Sequence, residues 1–164
     1  SYVRRLKMAA IAAPFTGQQT EFYVKSTAHV LGTLVTTDLV GEIQNIGDIE
    51  LSTNIIEVSS YGSDYKGKLA GQKDSGTVDI SLNWIPGGAD AAQDLLQSSY
   101  SSGAEVFCVI VWKDGGAGVG ACEFKGIVES YSISQPLEDV VTVNVTVNII
   151  GGVTFDVDGT LGTA

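Results

Sequence analysis

Three short strings in this sequence have the residue types and spacing that phosphate chemistry uses. The first, Phe155–Leu161, reads FDVDGTL, in which a leading aspartate can attack a phosphoryl group. That chemistry needs the aspartate at the end of a parallel strand, with lysine, threonine and further aspartates on later loops. Three residues follow Leu161, so we expect no phosphatase site here.

The other two strings are rich in glycine. The segment Gly62–Leu69 is nearly a phosphate-binding P-loop, but Leu69 stands where the magnesium-binding serine or threonine belongs, and no helical pattern follows. Gly116, Gly118 and Gly120 have the spacing of a dinucleotide-binding turn, but they lie within an all-β pattern. We therefore expect neither string to bind a nucleotide.

Candidates for acid–base or metal chemistry are equally scarce. His29 is the only histidine, which excludes zinc sites built from histidine and cysteine and leaves a Ser-His-Asp triad dependent on one poorly placed residue. Glu57, Asp79 and Glu129 lie on predicted strands and offer carboxylate pairs for glycoside hydrolysis, but a solvated sheet face explains them better. The sequon Asn144–Thr146 lies in mid-strand, and we expect it to be unmodified. The sequence predicts no enzyme, no metal site and no cofactor.

The composition limits the class of partner. The chain has 164 residues, enough for one domain with a core, and carries 19 acidic and 9 basic residues for a net charge of −10. Such a surface does not bind nucleic acid through phosphate contacts, which need lysine and arginine. Charged residues make up only 17%, which favours a surface partly covered by other copies over a compact free monomer. No apolar run reaches the roughly 18 residues that a membrane helix needs.

The strongest structural signal is an unbroken alternation of apolar and polar residues. It runs through Val141–Ile149 and again through Thr77–Trp84. Because successive side chains of a strand point to opposite faces, each segment has one apolar face and one polar face. Such strands belong to antiparallel sheets, sandwiches and barrels. The predicted fold class is therefore all-β.

Further strands and one helix complete a predicted domain over residues 38–150. Its other strands are predicted at Val40–Ile46, Ile55–Ser59, Val106–Trp112, Val119–Ser134 and Asp139–Ile150, and two short strands, Glu21–Lys25 and Val30–Thr36, are predicted before it. The helix is predicted over residues 90–102, with Asp90 as its N-cap and Gly103 just beyond its end. Residues 1–37 are expected to form an N-terminal arm with short strands, and residues 151–164 a glycine-rich acidic tail.

Residues 60–75 are predicted to form a long loop or an extended hairpin. Loops longer than about 12–15 residues in a compact domain are usually functional or disordered. Tyr61, Tyr65 and Leu69 give this segment apolar side chains to bury, either against its own domain or against another chain. We therefore expect an ordered contact here.

The predicted strand Val106–Trp112 is apolar on both faces, so both faces must be covered. We expect the core on one face and either the helix or a neighbouring subunit on the other. A turn centred on Gly115 places Cys108 opposite Cys122 across a hairpin. Two cysteines are too few for a disulfide framework, and in a reducing compartment we expect two buried thiols.

The order of these segments resembles the major tail tube proteins of long-tailed, siphovirus-type bacteriophages. The resemblance rests on the strands Val40–Ile46 and Ile55–Ser59, the glycine- and lysine-containing loop that ends at Gly76, and the strand Thr77–Trp84. It continues in Gly126–Ser134 and the final alternating strand. It covers roughly residues 38–150, whereas residues 1–37 and the C-terminal tail match nothing in the pattern.

The resemblance implies an antiparallel β-sandwich with one flanking helix, in which six copies close a ring through an intersubunit β-barrel. Stacked rings would form a tube in the virion tail, assembled in the host cytoplasm, through which DNA leaves the capsid without specific binding. The implied partners are further copies of the chain and the tape-measure and tail-terminator proteins. The tube of a contractile or secretion system is a close structural cousin that the sequence separates poorly.

The tube interpretation assigns two groups of residues. A lumen that passes DNA must not grip it, so polar strand residues without positive charge are the candidates for its lining: Glu42, Gln44, Glu57, Asp79, Ser81, Asn83, Thr142, Asn144 and Thr146. Basic and loop residues are the candidates for contacts between rings: Arg4, Arg5, Lys7, Tyr61, Asp64, Tyr65, Lys66, Lys68, Leu69 and Lys73.

One alternative from another class remains, a carbohydrate-binding β-sandwich such as an adhesin or receptor-binding module. Such a module needs exposed aromatic side chains in a groove. Trp84 and Trp112 fall on apolar positions of predicted strands, so we expect both to be buried. This expectation favours the tube.

Overall fold

The structure is a computed structural model that describes residues 19–28, 34–114 and 117–156. The strands are β1 (Glu21–Lys25), β2 (Ile43–Ile46), β3 (Ser52–Val58), β4 (Gly67–Asp74), β5 (Thr77–Asn83), β6 (Glu105–Asp114), β7 (Ala117–Ser134) and β8 (Thr142–Asp156). One α-helix, α1 (Ala91–Ser102), and one 3-10 turn, Thr36–Asp38, are also present. Of the predicted strand Val30–Thr36, residues 34–36 are not extended strand and the rest lies outside the described residues.

Six strands form one antiparallel sheet in the order β1-β6-β7-β8-β5-β2, and β3 and β4 form a separate hairpin. The sheet curls into a half-barrel, so that side chains of the two end strands join the same core. The expected class, all-β with one flanking helix, is confirmed. The expected sandwich is instead one curled sheet, in which curvature brings the two halves of the core together.

The core follows the alternation seen in the sequence. Val143, Val145 and Val147 of β8 are buried, while the residues between them point to the opposite face. Val78, Ile80 and Leu82 of β5 are buried beside them, and the two strands pair antiparallel along their whole overlap. Period-two patterning thus determines which face of this half of the sheet packs inward.

The strand β6 is buried on both faces, as its sequence requires. Cys108 and Ile110 face the main core, whereas Val109 and Val111 form a second cluster with Leu34. The covering of the second face therefore comes from the segment around residues 34–39. The expectation that the helix covers it is wrong, because α1 packs on the core side through Ala92 and Leu96.

The helix begins and ends where its capping residues predict. The Asp90 carboxylate accepts hydrogen bonds from the backbone N–H groups of Ala92 (3.0 Å) and Gln93 (3.2 Å). Gly103 adopts a left-handed φ of 70° at the C-cap, a conformation that glycine tolerates without strain. With 12 residues, α1 is also too short to cross a membrane, and no other helix in the described ranges is long enough.

A buried polar network fastens α1 to the end of the sheet. The other carboxylate oxygen of Asp90 accepts the Gly41 N–H at 2.7 Å. The Gln93 side chain accepts the Ile85 N–H at 3.0 Å and donates to the carbonyls of Gly41 and Asn83, both at 3.0 Å. Because Gln93 is only 3% exposed, these groups depend on one another rather than on water.

The hairpin between β6 and β7 has a different register from the predicted one. Cys122 lies opposite Ile110, and Cys108 lies opposite Phe124, so the two cysteines are diagonal neighbours. The prediction is off by two residues because the innermost pair is Asp114 with Ala117 and the register shifts next to Trp112. Both cysteines are free and buried, as expected.

The structure also decides three further predictions. The second part of the predicted loop 60–75 is strand β4, so the extended-hairpin alternative is the one observed. The strand β8 continues to Asp156 and pairs there with β7, where the acidic tail was expected to begin at Gly151. Trp84 is 41% exposed rather than buried, because β5 ends before it at Asn83.

The polar network makes a prediction about stability. Replacing Gln93 with leucine keeps the side-chain size but leaves buried backbone groups without this partner, so the free energy of unfolding should fall by about 2 kcal/mol or more. Gln97→Leu, at an exposed position of the same helix, should change it by less than about 0.5 kcal/mol. Urea unfolding of both variants measures the difference, and equal stabilities would contradict a structural role for the network.

Candidate functional site

The outward side of β5, β8 and the second half of β7 carries a continuous set of polar side chains, which we call the polar face. The strand register places its members in rows across the sheet. The rows are Asn83 with Thr142 and Ser134; Ser81 with Asn144 and Ser132; and Asp79 with Thr146 and Ser130. The edge strand β2 extends the face, because the Gln44 side chain bonds to Asn83.

Neighbouring side chains of the polar face hydrogen-bond to one another. The Ser81 hydroxyl donates to the Asn144 side-chain oxygen at 2.7 Å, and the Thr146 hydroxyl donates to the Asp79 carboxylate at 2.7 Å. The Gln44 amide donates to the Asn83 side-chain oxygen at 2.6 Å. Groups that satisfy each other in this way offer fewer free donors to a passing molecule.

The polar face carries no positive charge. The sequence has no lysine or arginine between Lys73 and Lys113, and none after Lys125. The strands β5 and β8 and the second half of β7 fall entirely within these intervals. The Asp79 carboxylate, which accepts the hydrogen bond of Thr146, is therefore a negative charge on a face without positive ones.

Seven of the nine residues predicted to line a lumen lie on the polar face: Gln44, Asp79, Ser81, Asn83, Thr142, Asn144 and Thr146. Glu42 is exposed and lies beside the polar face, because its carbonyl accepts the Asn83 N–H at 2.8 Å at the end of β5. Its backbone has a left-handed φ of 56°. Glu57 lies elsewhere, on β3, where it pairs with Lys66 at 3.3 Å. The sequence reasoning missed Ser130, Ser132 and Ser134, although their own alternation signals a shared face.

The hairpin formed by β3 and β4 is exposed along nearly its whole length on both faces. Large apolar residues on it remain in contact with solvent: Ile55, Ile56, Val58, Tyr61, Tyr65 and Leu69. Ile56 lies opposite Leu69, and Glu57 lies opposite Lys68, so one face is apolar and the other mixed. An isolated two-stranded hairpin is at best marginally stable in water, so this hairpin needs a partner surface.

The base of the hairpin is held firmly to the sheet. The buried Ser75 hydroxyl donates to the Gly151 carbonyl at 2.7 Å, and the Ile149 N–H donates to the Gly76 carbonyl at 3.0 Å. Gly76 has a φ of 62°, which a side chain there would strain, and the Asp74 carboxylate accepts its N–H at 3.1 Å. The hairpin therefore leaves the sheet in a defined direction.

The predicted inter-ring residues divide between the hairpin and the N-terminal arm. Tyr61, Asp64, Tyr65 and Lys66 lie in the connection between β3 and β4, and Lys68, Leu69 and Lys73 lie on β4, all of them exposed. Arg4, Arg5 and Lys7 lie outside the described residues, as does His29. The structure therefore gathers seven of these candidates on one projecting element.

The remaining described parts of the chain hold few groups suited to catalysis or metal binding. A cavity of about 830 Å³ opens between β2 and the ends of β6 and β8, where Trp112 and Phe155 lie, and no titratable side chain lines it. Within residues 19–28, 34–114 and 117–156, no cluster of metal-binding side chains occurs. The P-loop-like string forms a turn and strand β4, with no helix after it, and Asp156 ends an antiparallel strand.

The fold and these surfaces define a class of protein, a structural subunit that associates with other copies. Residues 34–155 match the family model described as lambda phage tail tube protein, TTP, and the chain belongs to this family. The resemblance seen in the sequence is thereby confirmed, and the match favours the tube over the carbohydrate-binding alternative. The protein is a structural component of the phage tail in the virion.

Solved structures of tube assemblies share the fold. The SPP1 tail tube aligns with a TM-score of 0.63 at 18% identity, over 88% of this chain and 80% of that chain. A chain described as the sheath/tube terminator of the extracellular contractile injection system PVC aligns with a TM-score of 0.67 at 14% identity, over 90% and 99%. A chain from the tail of an empty gene transfer agent particle gives 0.59 at 12%, over 87% and 99%. A search of curated proteins finds no match.

The buried thiols make a prediction about pH. Burial raises the pKa of Cys122 to about 11, and burial together with the nearby Cys122 raises the pKa of Cys108. Above pH 9.0 the thiols of the unfolded chain ionise, while the buried thiols of the folded chain stay protonated. The contribution of Cys122 to the free energy of unfolding, fully present below pH 9.0, should therefore be lost as the pH rises toward about 11. Urea unfolding as a function of pH measures this decline.

Cys122→Ala is the control for that series. It should lower stability at neutral pH by removing core volume, but it should also flatten the decline above pH 9.0, where the Cys122 thiol no longer contributes. An identical slope in the variant and the parent protein would assign the decline to other groups. In the folded protein at pH 8, both native thiols should react with a maleimide far more slowly than in urea.

Proposed function

We propose that this chain forms rings of six copies that stack into the tail tube, and that the polar face lines the bore through which DNA leaves the capsid. The observation that carries the proposed bore is a broad polar face without a lysine or arginine. In the fold relatives, the gene transfer agent tail has C6 symmetry, which supports six copies in a ring. The tube has no catalytic role and no cofactor.

The absence of positive charge suits a conduit for DNA. Duplex DNA carries about one negative charge per 1.7 Å, and lysine or arginine contacts hold it by releasing bound counterions. Hydroxyl and amide groups that bond to each other, as Ser81 does to Asn144, lack that source of affinity. Carboxylates such as Asp79 repel the phosphates and keep the duplex in the middle of the bore.

The ends of the sheet provide the means of closing a ring. Among the described strands, β2 pairs only with β5, so its second edge is free to pair with a neighbouring copy. Pairing between copies would join half-barrels into one continuous intersubunit barrel and remove edges that otherwise promote aggregation. Contact between rings would then fall to the hairpin, and tape-measure and tail-terminator proteins would meet the assembled tube inside and at its end. Assembly takes place in the host cytoplasm.

The orientation of the polar face can be tested by labelling tubes assembled from single-cysteine variants. Cys108 and Cys122 are buried, so an introduced thiol is the reactive one. In Asn144→Cys, a maleimide gold label should appear inside the bore in electron micrographs. Gln97 is exposed on α1, which lies on the core side of the sheet, opposite the polar face. In Gln97→Cys, the label should therefore appear on the outer surface of the tube. Gold from Asn144→Cys on the outer surface would contradict the proposal.

The hairpin can be tested by removal. Replacing residues 53–73 with a short glycine–serine turn spares the sheet, because these residues contribute nothing to the buried core. The variant should unfold cooperatively like the parent protein but fail to form tubes, since the exposed apolar residues that would join rings are gone. Sedimentation and negative-stain microscopy measure both properties, and tubes of normal length from this variant would refute the inter-ring role.

A further inference from the structure

We infer that the apolar segment Ala9–Phe15 docks in the cavity beside β2 of its own copy and covers the open edge of that strand. The occupant is a segment of this chain that lies outside the described residues. Docking takes place within one free copy and does not depend on the proposed tube. In an assembled ring, pairing of β2 with a neighbouring copy would displace the segment.

The cavity is an opening in the main core. Its walls include Ile43, Ile46 and Trp112, which pack against the core but are only partly buried, and Phe155, which is 49% exposed. Native cores contain few voids larger than a water molecule, whereas this cavity has a volume of about 830 Å³. Apolar groups that displace water from such walls stabilise the protein. The cavity therefore favours an apolar occupant.

The cavity also reaches the open edge of β2. All four residues of the strand, Ile43–Ile46, line it. Ile43 and Ile46 pack against the core, whereas Gln44 and Asn45 are exposed. A cavity that touches both inward and outward residues of one strand passes the edge of that strand, and the other edge of β2 is paired with β5. An occupant therefore covers backbone groups that no described strand pairs with.

The described part of the chain starts at the wall of this cavity. Thr20 lines the cavity and stands directly before β1. Phe15 is five residues from Thr20, and an extended chain of that length reaches about 18 Å at most. A short tether of this kind gives an effective concentration on the order of millimolar. The segment is therefore held within reach of the cavity in its own copy.

The composition of the segment suits the cavity. Ala9–Phe15 reads AAIAAPF and contains no polar or charged side chain, with Ile11 and Phe15 as its large groups. The other end of the described chain also lies at the cavity, through Phe155. Residues 157–164, which follow it, read VDGTLGTA and place an aspartate between their two large apolar residues. Because burial of that carboxylate is costly, the N-terminal segment is the better occupant.

The charges around the cavity favour the same segment. The residues before the apolar segment include three cations: Arg4, Arg5 and Lys7. Three exposed carboxylates flank the lining residues of β2 and of the connection after it: Glu42, Asp48 and Glu50. None of these carboxylates is in an ion pair within the described residues, and Lys113, the cation next to Trp112, is already paired with Glu21 at 2.9 Å. Opposite charges at the mouth of the cavity favour entry of the segment.

The test follows the fluorescence of Trp112 in the full-length protein. Trp84→Phe leaves Trp112 as the one tryptophan of the chain, and every variant is made in this background. Ile11→Asp should prevent docking, because an apolar cavity offers a carboxylate no partner. The emission of Trp112 should then shift to longer wavelength, and quenching by acrylamide should rise about twofold or more as water enters the cavity. Equal quenching in Ile11→Asp and the parent would overturn the inference.

Val3→Asp is the matched control. It makes the same change in charge in the residues before the apolar segment. Because it leaves Ala9–Phe15 intact, it should keep the emission and the quenching of Trp112 as they are in the parent. A change as large as that of Ile11→Asp would assign the effect to charge rather than to docking and would overturn the inference.

A variant without residues 1–16 tests the covering of the edge. Hydrogen–deuterium exchange in the peptide that contains β2 should be faster in this variant than in the parent, because the open edge is uncovered. A synthetic peptide of residues 7–18 should slow the exchange again and restore the emission of the parent, whereas the same peptide with Ile11→Asp should not. Unchanged exchange in the truncated variant, or no binding of the peptide, would contradict docking.

Dilution distinguishes docking within one copy from docking between copies. A tethered segment keeps its effective concentration, so the quenching of Trp112 in the parent should stay constant over about a hundredfold dilution. Quenching that rises on dilution would assign the occupant to a second copy and overturn the inference. None of these measurements needs tubes, so a protein that docks its segment but never forms tubes would refute the ring proposal alone.

Discussion

The constraint on which the rest of the structure depends is the two-residue period of β5 and β8. Every second side chain is buried in the main core, to which α1 and the far half of the curled sheet also contribute, so the intervening residues point to the other face. A shift of one residue in register would expose Val145 and bury Asn144, which keeps the register from slipping. The packing of the core therefore decides which residues of β5 and β8 share the polar face, and the sequence supplies no lysine or arginine at those positions.

The exposed hairpin and the unpaired edge of the sheet indicate that a single copy is incomplete by itself. Burying a large apolar side chain contributes about 1.5–3 kcal/mol relative to leaving it in water, and the hairpin leaves several such residues exposed. Its base is nonetheless fixed to the sheet by Ser75 and Gly76, so the base loses little conformational entropy when a partner binds. An exposed apolar element that is anchored at its base to a firmly packed body is well suited to assembly with other copies.

The features that the sequence predicted well are those set by local pattern. The alternation of β5 and β8, the Asp90 cap and the Gly103 end of α1 all depend on residues within a few positions. The errors arise where distant residues decide the outcome. The cysteine register follows from a register shift beside Trp112, and the strand at Gly151–Asp156 exists because β7 pairs with it. The Gln93 network joins residues 52 positions apart, which no local pattern reveals.

The measurement that tests the central claim most directly is a cryo-EM reconstruction of tubes assembled from this protein, at a resolution that traces β8. The account predicts that Asn144 and its neighbours on the polar face point toward the tube axis and that α1 lies on the outer side of the wall. A reconstruction with α1 toward the axis, or with lysine side chains lining the bore, would contradict it.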